Sequence, residues 1–412
     1  MTAHSTPAIL FSFLTFFFGT VFAEEETNEG GAYQTSAAFA GKMFAFVGDA
    51  HKGNIVFSPF GVQHAVGIAG LGAAGKTLED ITHTMQLQSL EKEFPTIASI
   101  YAHGKDNSNE SGNELINSSP VRQKVQVLIK KGVNVDGRFL AAIAGITGTD
   151  CEELEINSKI LSSFPQENWE QSQLVIKNVL KFSGRWSSPF SSVYSLPFHL
   201  DKERTVQAIF MEDREQFFDV ADFGDSYGFS LGFVQAEPSH PECVMLLIVP
   251  KERDGIVEIM KGIADECLPE WIAQILDADS PKSYRLFLPR FSIDTSLELK
   301  ECLSSMGMKS AFDINADFSK LSIDPPLHIT NVLQTAHIDV DEYGADASAE
   351  TAVLVGAMGL RRPTTIRVDR PFVYSIYDKS NHQVLFIGRC DNPVTPGTLV
   401  PSDEQPKLSE YL

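Results

Sequence analysis

Residues 344–363 read GADASAETAVLVGAMGLRRP. One parity, from Ala345 to Val355, holds only alanine, threonine and valine, whereas the other begins with Asp346, Ser348 and Glu350. This period of two predicts a half-buried strand. The glycines, arginines and proline that follow cannot continue a central strand. The segment is therefore either a strand joined to a loop, and able to insert into a sheet, or an ordinary edge strand followed by a turn.

Outside this segment, helical and strand patterns alternate without regular order. Apolar residues at helical spacing predict helices in the N-terminal third, around 39–46, 65–71 and 78–85, and later at 268–276 and 297–306. Strand patterns occupy 125–129, 244–249, 284–288, 372–377 and 384–388. Because no long linker separates these elements, we expect one large α+β domain rather than several.

Composition narrows the function classes. The 412 residues carry 33 Lys+Arg and 54 Asp+Glu, a net charge of −21, and 43% are hydrophobic. A chain this apolar can bury a large core, and a surface this acidic repels nucleic acid. We expect no nucleic-acid partner.

The N-terminus predicts export. Residues 1–23 contain no Asp, Glu, Lys or Arg, and the apolar run 9–22 ends at Ala23. This pattern is typical of a cleaved signal peptide, with an uncleaved anchor as the alternative. We expect a secreted, extracellular domain over 24–395, no membrane span, and a flexible acidic tail over 396–412.

If the chain is exported, its N-glycosylation sequons and its cysteines become informative. Asn109 and Asn117 begin N-glycosylation sequons within a polar stretch, which predicts an exposed, glycosylated loop. The cysteines are five and widely scattered, so at least one thiol is free or pairs outside the chain. They do not form the framework of a disulfide-rich domain.

Residues 70–77, GLGAAGKT, match the phosphate-binding pattern G-x-x-x-x-G-K-[ST]. That chemistry requires a buried strand leading into the loop, but the preceding residues have helical spacing. A joint between two helices is the other interpretation.

Residues 228–232, GFSLG, match the nucleophile elbow of secreted esterases, with Ser230 as nucleophile. Asp277 and the histidines His328, His337 and His382 follow in the order of such a triad. The elbow needs a helix directly after the serine, and Pro238 and Pro241 oppose one. The preferred interpretation is therefore that Ser230 is an ordinary serine at a strand edge. A secreted hydrolase is a remote alternative. His240 and Cys243 offer two metal ligands, but no partner set accompanies them.

Short motifs spread over residues 33–393 resemble those of the serpin family. In chain order they are NIVFSPF (54–60), LGAAGKT (71–77), FSGRW (182–186), LPRF (288–291), DEYG (341–344), DRPF (369–372), FIGR (386–389) and NP (392–393). The resemblance implies three β-sheets, about nine helices and an exposed reactive-centre loop. It also implies that the phosphate-loop match is coincidental.

The resemblance further implies a suicide-substrate mechanism. A serine protease cleaves the loop and becomes acylated, and the freed strand then inserts into the main sheet. Insertion distorts the oxyanion hole of the protease, so that deacylation stalls. Such a protein is not an enzyme and needs no cofactor or metal. The alternative within the family is a non-inhibitory binding or carrier protein whose loop is cut without trapping.

Individual residues match the family's functional positions. Glu342 and Gly344 match the hinge, and Ala345, Ala347, Ala349 and Thr351 match positions that enter the sheet. Asp346, Ser348 and Glu350 would remain outside. The resemblance places the scissile bond at Met358-Gly359, with bonds at Leu360, Arg361 and Arg362 as alternatives.

The expected partner is an extracellular serine protease acting on a monomer. Met358 suits the apolar pocket of a chymotrypsin-like or elastase-like enzyme, whereas Arg361 and Arg362 would suit a trypsin-like one. A basic group, Arg122, Lys124, Lys130, Lys131 and Arg138, is either a heparin-type site or a solvated face. Two departures from the family concern insertion: Gln334 replaces a histidine expected to cluster with Ser58 and Asn178, and residues 140–182 are short.

Overall fold

The structure is a computed structural model that describes residues 29–87, 120–143, 149–154, 171–235, 240–278, 281–345 and 363–394. Its helices in these ranges are α1 (Glu29–Ala50), α2 (Pro59–Gly70), α3 (Gly75–Thr84), α4 (Gly137–Ile143), α5 (Ile256–Ala264), α6 (Leu268–Leu276) and α7 (Lys300–Ser305), followed by a 3₁₀-helix at Ser310–Phe312.

The same ranges contain seventeen strands. They are β1 (Ile55–Phe57), β2 (Val121–Lys130), β3 (Thr149–Leu154), β4 (Leu174–Phe182), β5 (Gly184–Arg185), β6 (Ser192–His199), β7 (Thr205–Phe218), β8 (Ala221–Asp222), β9 (Ser226–Gly232), β10 (Cys243–Pro250), β11 (Lys282–Pro289), β12 (Phe291–Glu298), β13 (Ile329–Val340), β14 (Gly344–Ala345), β15 (Thr364–Arg367), β16 (Phe372–Asp378) and β17 (Gln383–Cys390).

The main sheet runs in the order β3-β2-β4-β13-β12. Its central strands β4 and β13 are parallel neighbours, paired from Leu174 and Ile329 to Lys181 and His337. Beyond this pairing the two-residue strand β14 lies between β13 and β5. Because β13 continues to Val340, beyond its last pair with β4, the residues that follow it lie at one end of the main sheet.

The described residues form two smaller sheets besides the main one, which confirms the expected three-sheet α+β fold. The six-stranded sheet has the order β1-β17-β16-β10-β9-β8, and the four-stranded sheet has the order β15-β11-β7-β6. Every residue of β10 and β16 is buried, which explains why both strands are mainly apolar, with Ser375 and Asp378 as buried polar residues of β16. The described ranges contain seven α-helices, where about nine were expected for the whole chain.

The N-terminus of helix α2 is fixed by a side-chain cap and by close packing against β4. Ser58 caps it by accepting a hydrogen bond from the Gly61 N–H at 2.9 Å, and Pro59 occupies the first helical position. A Cβ on Gly61 would lie 2.7 Å from Leu180 Cδ2, so glycine lets the helix approach β4 closely. The start of α2 therefore sits directly beneath the central strands of the main sheet.

Most of the predicted elements are confirmed, and one is wrong in part. The helix expected over 297–306 spans only Lys300–Ser305, and Leu297 belongs to β12. Alternate burial along β12 and its pairing with β13 extend the strand to Glu298. The Glu298 carboxylate accepts a hydrogen bond at 3.2 Å from the N–H of Lys300, the first residue of α7.

Candidate functional site

The chain reverses direction after β13 in a turn from Asp341 to Gly344. The Asp341 N–H donates to the Gly344 carbonyl at 2.8 Å. The Asp341 carboxylate accepts from the backbone N–H of Tyr343 at 2.8 Å and of Gly344 at 3.1 Å. Burial raises the pKa of Asp341, and these two N–H groups oppose the rise. The side chain that was only part of a motif in the sequence thus organises the hinge turn.

Gly344 is required at the end of this turn. Its φ is +150°, and a Cβ would lie 2.0 Å from the Gly184 carbonyl oxygen and 2.6 Å from Arg185 Cα. Gly344 pairs with Arg185, and Ala345 pairs with both Gly184 and Val340. The predicted hinge residues therefore already lie between two strands of the main sheet.

Three neighbouring groups hold the hinge backbone in place. Trp186 donates its backbone N–H to the Tyr343 carbonyl at 2.9 Å and its indole Nε1–H to the Asp341 carbonyl at 2.8 Å. The Phe190 N–H donates to the Glu342 carbonyl at 2.9 Å. The Trp186 indole is 2% exposed and stacks on Phe233 with ring centroids 4.5 Å apart, so its position is fixed by packing.

Glu342 is held by charge as well as by its backbone. Its carboxylate forms an ion pair with the guanidinium of Arg290, which follows β11. The two side chains are 16% and 34% exposed, so water screens the pair less than it would on an open surface. This ion pair connects the hinge to the four-stranded sheet.

A buried cluster of hydrogen bonds lies beneath the central strands, as expected for Ser58, Asn178 and Gln334. The Ser58 N–H donates to Gln334 Oε1 at 2.7 Å, and Gln334 Nε2 donates to the Ser58 carbonyl at 3.0 Å. The Ser58 hydroxyl donates to the Leu385 carbonyl on β17. Asn178 Nδ2 donates to the Gly61 carbonyl at 2.6 Å. Gln334, where the serpin resemblance implied a histidine, thus joins β13 to α2 through both ends of its amide.

Several predicted site residues lie outside the described residues. They are the signal peptide (1–23), the sequons at Asn109 and Asn117, the insertion positions Ala347, Ala349 and Thr351, and the candidate scissile positions Met358, Gly359, Leu360, Arg361 and Arg362. The described hinge comprises Glu342, Gly344 and the backbone of Ala345.

The phosphate-loop match is a joint between helices. Residue Gly70 ends α2, Gly75 begins α3, and Thr77 Oγ1 accepts a hydrogen bond from the Asp317 N–H at 2.9 Å. Lys76 is exposed and pairs with Asp80 at 2.6 Å. A phosphate cradle instead needs a buried strand and an inward-directed lysine.

The esterase-like motif lies within a strand. Ser230 belongs to β9 and pairs with Leu246 on β10, and β9 continues to Gly232. Its backbone therefore lacks the strand-to-helix turn that exposes a catalytic serine. His337 lies 2.6 Å from Asp294 on β12, and His382 Nδ1 lies 3.5 Å from the Tyr377 hydroxyl.

The basic group does not form one patch. Arg122 and Lys130 lie at opposite ends of β2, about 26 Å apart at 3.3 Å per residue. Arg138 pairs with Asp136 at 2.7 Å. This arrangement favours a solvated face over a single polyanion site.

The described residues give no sign of a metal centre, because no group of three or more His, Cys, Asp or Glu side chains among them could hold an ion. All five cysteines are described and unpaired, and burial raises the pKa of Cys302 to about 12. Within the described ranges, every helix is too short or too polar to cross a membrane.

Sequence reasoning missed the residues that hold the hinge. Trp186 and Arg290 were recognised only as parts of the motifs FSGRW and LPRF, and Phe190 was not singled out. The available signal was the position of the two motifs at strand ends: FSGRW begins at the last residue of β4, and LPRF spans the end of β11. Their roles depend on the backbone carbonyls of residues 341–343, which no sequence pattern specifies.

Comparisons with known proteins agree with this geometry. A family model described as Serpin (serine protease inhibitor) matches residues 34–169 and 153–393. Protein Z-dependent protease inhibitor of Homo sapiens is 27% identical over 364 residues, covering 83% of this chain and 78% of that protein. A serine protease inhibitor of Cyanea capillata is 28% identical over 355 residues, covering 82% and 92%. The structure of human thyroxine-binding globulin has a TM-score of 0.72 at 22% identity, covering 88% and 99%, which shows a shared fold.

Proposed function

The chain belongs to the serpin family, and on that premise we propose that it is a secreted inhibitor of serine proteases that traps its target by loop insertion. In this proposal the protease cleaves the segment after Gly344 and is acylated. The freed segment then enters the main sheet between β4 and β13 and carries the protease with it. The chain supplies no catalytic group.

The position of β14 is the observation that carries the proposal. β4 and β13 are paired to each other as far as Lys181 and His337, and β14 separates their continuations beyond that point. Because β14 is antiparallel to both β13 and β5, a longer strand could extend in the same direction without changing the pairing pattern. Each residue added would replace a β4–β13 contact by two new ones.

The register of β14 predicts which side chains would enter the core. Continued one residue at a time, it brings residue 347 opposite Phe182 and Ile338, and residue 349 opposite Leu180 and Ala336. These four neighbours are at most 1% exposed. Alanine at 347 and 349 fits such a site because it adds neither volume nor charge.

The same register brings residue 351 opposite Asn178 and Gln334. Both are buried, and Asn178 Oδ1 has no hydrogen-bond partner among the described residues. Thr351 would bring a hydroxyl donor to this polar level of the sheet, where a purely apolar side chain would bring none.

The alternate residues would face the opposite side of the sheet. Ser348 would arrive opposite Lys181 and His337, and Glu350 opposite Val179 and Thr335. Val179 is 37% exposed, and Lys177 and Lys181 flank it on the same face of β4. A serine and a carboxylate suit this partly solvated, basic surface. The two parities of the segment therefore match the two faces of the sheet.

Met358-Gly359 is the proposed scissile bond, and the proposed target is a chymotrypsin-like or elastase-like protease. An apolar, unbranched side chain suits their primary pockets. A cut at Arg361 or Arg362 would instead indicate a trypsin-like target. We place the functional domain at residues 24–395, preceded by a cleaved signal peptide and bearing glycans at Asn109 and Asn117, with a flexible tail over 396–412. We propose that it acts as a monomer in the extracellular space.

The test incubates the purified mature chain with chymotrypsin-like, elastase-like and trypsin-like serine proteases. A covalent complex that survives SDS is expected with one of the first two, and mass spectrometry of the released C-terminal fragment should find Gly359 at its N-terminus. A fragment beginning at Arg362 or Pro363 would assign the target to the trypsin-like class.

Two other outcomes would replace the proposal. Complete cleavage without any SDS-stable complex would indicate a non-inhibitory serpin. Hydrolysis of a chromogenic ester by the chain alone, lost in Ser230→Ala, would indicate a hydrolase. An active-site-blocked sample of each protease is the control, because it can bind but cannot form an acyl complex.

A further inference from the structure

Three arginines lie together on one face of the four-stranded sheet, and each comes from a different strand. They are Arg214 on β7, Arg285 on β11 and Arg367 on β15. Strand pairing brings them together, because Phe287 of β11 lies opposite both Glu212 of β7 and Arg367 of β15. Side chains two residues apart on a strand share a face, so all five side chains lie on the same side of the sheet. We call this surface the arginine face.

A buried carboxylate and an aromatic ring hold the three guanidinium groups in place. The Glu212 carboxylate forms an ion pair with Arg285, and its second oxygen lies 3.6 Å from Arg214 Nε. The guanidinium carbons of Arg285 and Arg367 lie 5.0 and 5.1 Å from the centroid of the Phe287 ring. Because both groups contact one ring, they are at most about 10 Å apart, and such contacts are favourable. The arginines are therefore positioned before any partner arrives.

The groups that this face presents to solvent are positively charged. The side chains of Arg214 and Arg285 are 71% and 28% exposed, and Arg367 is also exposed, whereas their carboxylate partner is wholly buried. Asp213 and Glu215 flank Arg214 along β7, so their side chains point to the other side of the sheet. The chain as a whole has a net charge of −21. The arginine face is thus a compact positive surface on an acidic protein.

A surface of this kind is suited to carboxylates on another protein. A guanidinium group presents its donors in a planar fork that matches the two oxygens of a carboxylate. Arginines that are already held in place lose less conformational entropy when they bind. Opposite charges across an interface mainly raise the rate of association. The expected partner is therefore a protein whose contacting surface is acidic.

The arginine face lies close in the chain to the proposed reactive segment. Strand β15, which carries Arg367, begins at Thr364, five residues after Gly359 of the proposed scissile bond. Five residues span at most about 18 Å. A standard interface covers about 800 Å² on each partner and is therefore roughly 30 Å across. A protease bound at Met358-Gly359 would meet the chain close to β15.

We propose that the arginine face is a contact surface for the target protease, and that it selects a protease whose surface beside the active-site cleft is acidic. The side chain before the scissile bond determines which primary pocket can accept the loop. The arginine face then discriminates among proteases that share this pocket, through their rates of association. This inference rests on the proposed function, because it requires a protease that the chain traps.

The test measures the second-order rate constant for formation of the SDS-stable complex. It uses two proteases that the parent chain traps and that share a primary specificity, one with an acidic and one with a basic surface beside the cleft. Arg214→Gln, which retains the ion pair between Arg285 and Glu212, should lower the rate constant for the acidic protease about 2–5-fold at low salt. Arg367→Glu should lower it about 5–20-fold and should raise the rate constant for the basic protease. High salt should reduce these differences.

Two control variants separate charge from general damage. Arg367→Lys keeps the charge and should stay within about two-fold of the parent. Arg138→Gln removes the same charge from α4, where the side chain is 86% exposed. Because α4 follows the end of β2 that is remote from the hinge, this variant should leave both rate constants unchanged. The fraction of chain that is cleaved without trapping should equal that of the parent in every variant, because the arginines act before insertion.

Three results would overturn this inference alone. The first is an unchanged rate constant for the acidic protease in both Arg214→Gln and Arg367→Glu. The second is an equal loss with the acidic and the basic protease, because that loss would not depend on the charge of the partner. The third is an effect of the variants that appears only when heparin is added, which would assign the arginine face to a polyanion. Failure of the parent chain to trap any protease would instead refute the proposed function, and this inference with it.

Discussion

Gln334 and Ser58 form a reciprocal pair in which each residue both donates and accepts. Gln334 Oε1 accepts the Ser58 N–H at 2.7 Å, and Gln334 Nε2 donates to the Ser58 carbonyl at 3.0 Å. The pair fastens the middle of β13 to the N-terminus of α2. If the loop inserts as proposed, β13 must separate from β4 at this level, and the pair lies where the main sheet would have to open.

Replacing the amide should weaken this fastening. In Gln334→Leu the buried Ser58 N–H loses its acceptor, whereas the Ser58 carbonyl keeps a hydrogen bond from the Val62 N–H at 3.1 Å. We expect the free energy of unfolding to fall by about 1–3 kcal/mol. Gln334→His, which can present a ring nitrogen to the Ser58 N–H, should lose less. Urea unfolding measures both, and a Leu variant as stable as the parent would contradict the role given to the pair.

A substitution at Gly344 tests the hinge more specifically than the Gln334 variants do. In Gly344→Ala the added Cβ would overlap the Gly184 carbonyl, so β14 must leave both of its neighbours. Strain of about 1–3 kcal/mol on the path to insertion corresponds to insertion that is slower by about 5- to 150-fold. The ratio of cleaved chain to SDS-stable complex should therefore rise.

Gly132→Ala is the matched control for that variant. Gly132 also has a positive φ, +87°, but a Cβ there meets no atom within 4 Å. It carries a similar backbone penalty without touching the hinge. A Gly132 variant that lost complex formation as strongly as the Gly344 variant would show that general destabilisation, not the hinge, is responsible.

The sequence predicted some features of the hinge and its partners and missed others. Glu342, Gly344 and Ser58 lie in local motifs, and Gln334 was recognised as a departure from the family. Local patterning also predicted β10 and β16, which are mainly apolar and buried along their whole length. Leu297 was misassigned because a half-buried strand leading into a short helix leaves an ambiguous apolar pattern over 297–306.

The rest depends on contacts between distant parts of the chain. Trp186 donates to a carbonyl 155 residues away, and Arg290 reaches Glu342 from the end of another sheet. Backbone carbonyls are the same at every position, so nothing in the residue identities indicates which of them an indole N–H will reach. The pairing of β14 with strands on both sides likewise follows from tertiary structure alone.

The buried position of His64 predicts that the folded chain loses stability as the pH falls. His64 lies on α2 with 1% exposure, and its Nδ1 is 3.0 Å from Gln123 Oε1 on β2. Burial lowers the pKa of His64 from 6.5 to about 4, and the hydrogen bond to Gln123 opposes this shift. Between pH 6.5 and 4 the unfolded chain binds the proton more readily than the folded chain does. Stability should therefore fall as the pH decreases through this window, by on the order of 3 kcal/mol in total.

His64→Gln removes the titrating group while it retains an N–H donor. Urea unfolding at intervals from pH 7 to pH 4 should show a flatter dependence for this variant than for the parent. Because the carboxylates titrate in both the parent and the variant, their contribution to the pH dependence cancels in the comparison. Parallel slopes would show that His64 does not control the acid response.

Cleavage of the loop should stabilise the chain. Insertion of the freed segment adds two new ladders of hydrogen bonds and buries the side chains at 347, 349 and 353. We expect a cut between residues 352 and 362 to raise the Tm by about 10 °C or more, as measured by calorimetry. An uncut sample carried through the same incubation is the control, and an unchanged or lower Tm after cleavage would indicate an ordinary exposed loop.

Two adjacent substitutions test whether the cleaved segment enters between β4 and β13 in the register set by β14. Ala347→Glu would bury a carboxylate beside Phe182 and Ile338, at a cost of several kcal/mol, whereas Ser348→Glu would place the same group beside Lys181. The measurement is the yield of SDS-stable complex with a protease that the parent chain traps. We expect Ala347→Glu to yield mainly cleaved chain and Ser348→Glu to trap as well as the parent. Equal trapping by both variants, or loss of trapping in Ser348→Glu alone, would rule out entry in this register.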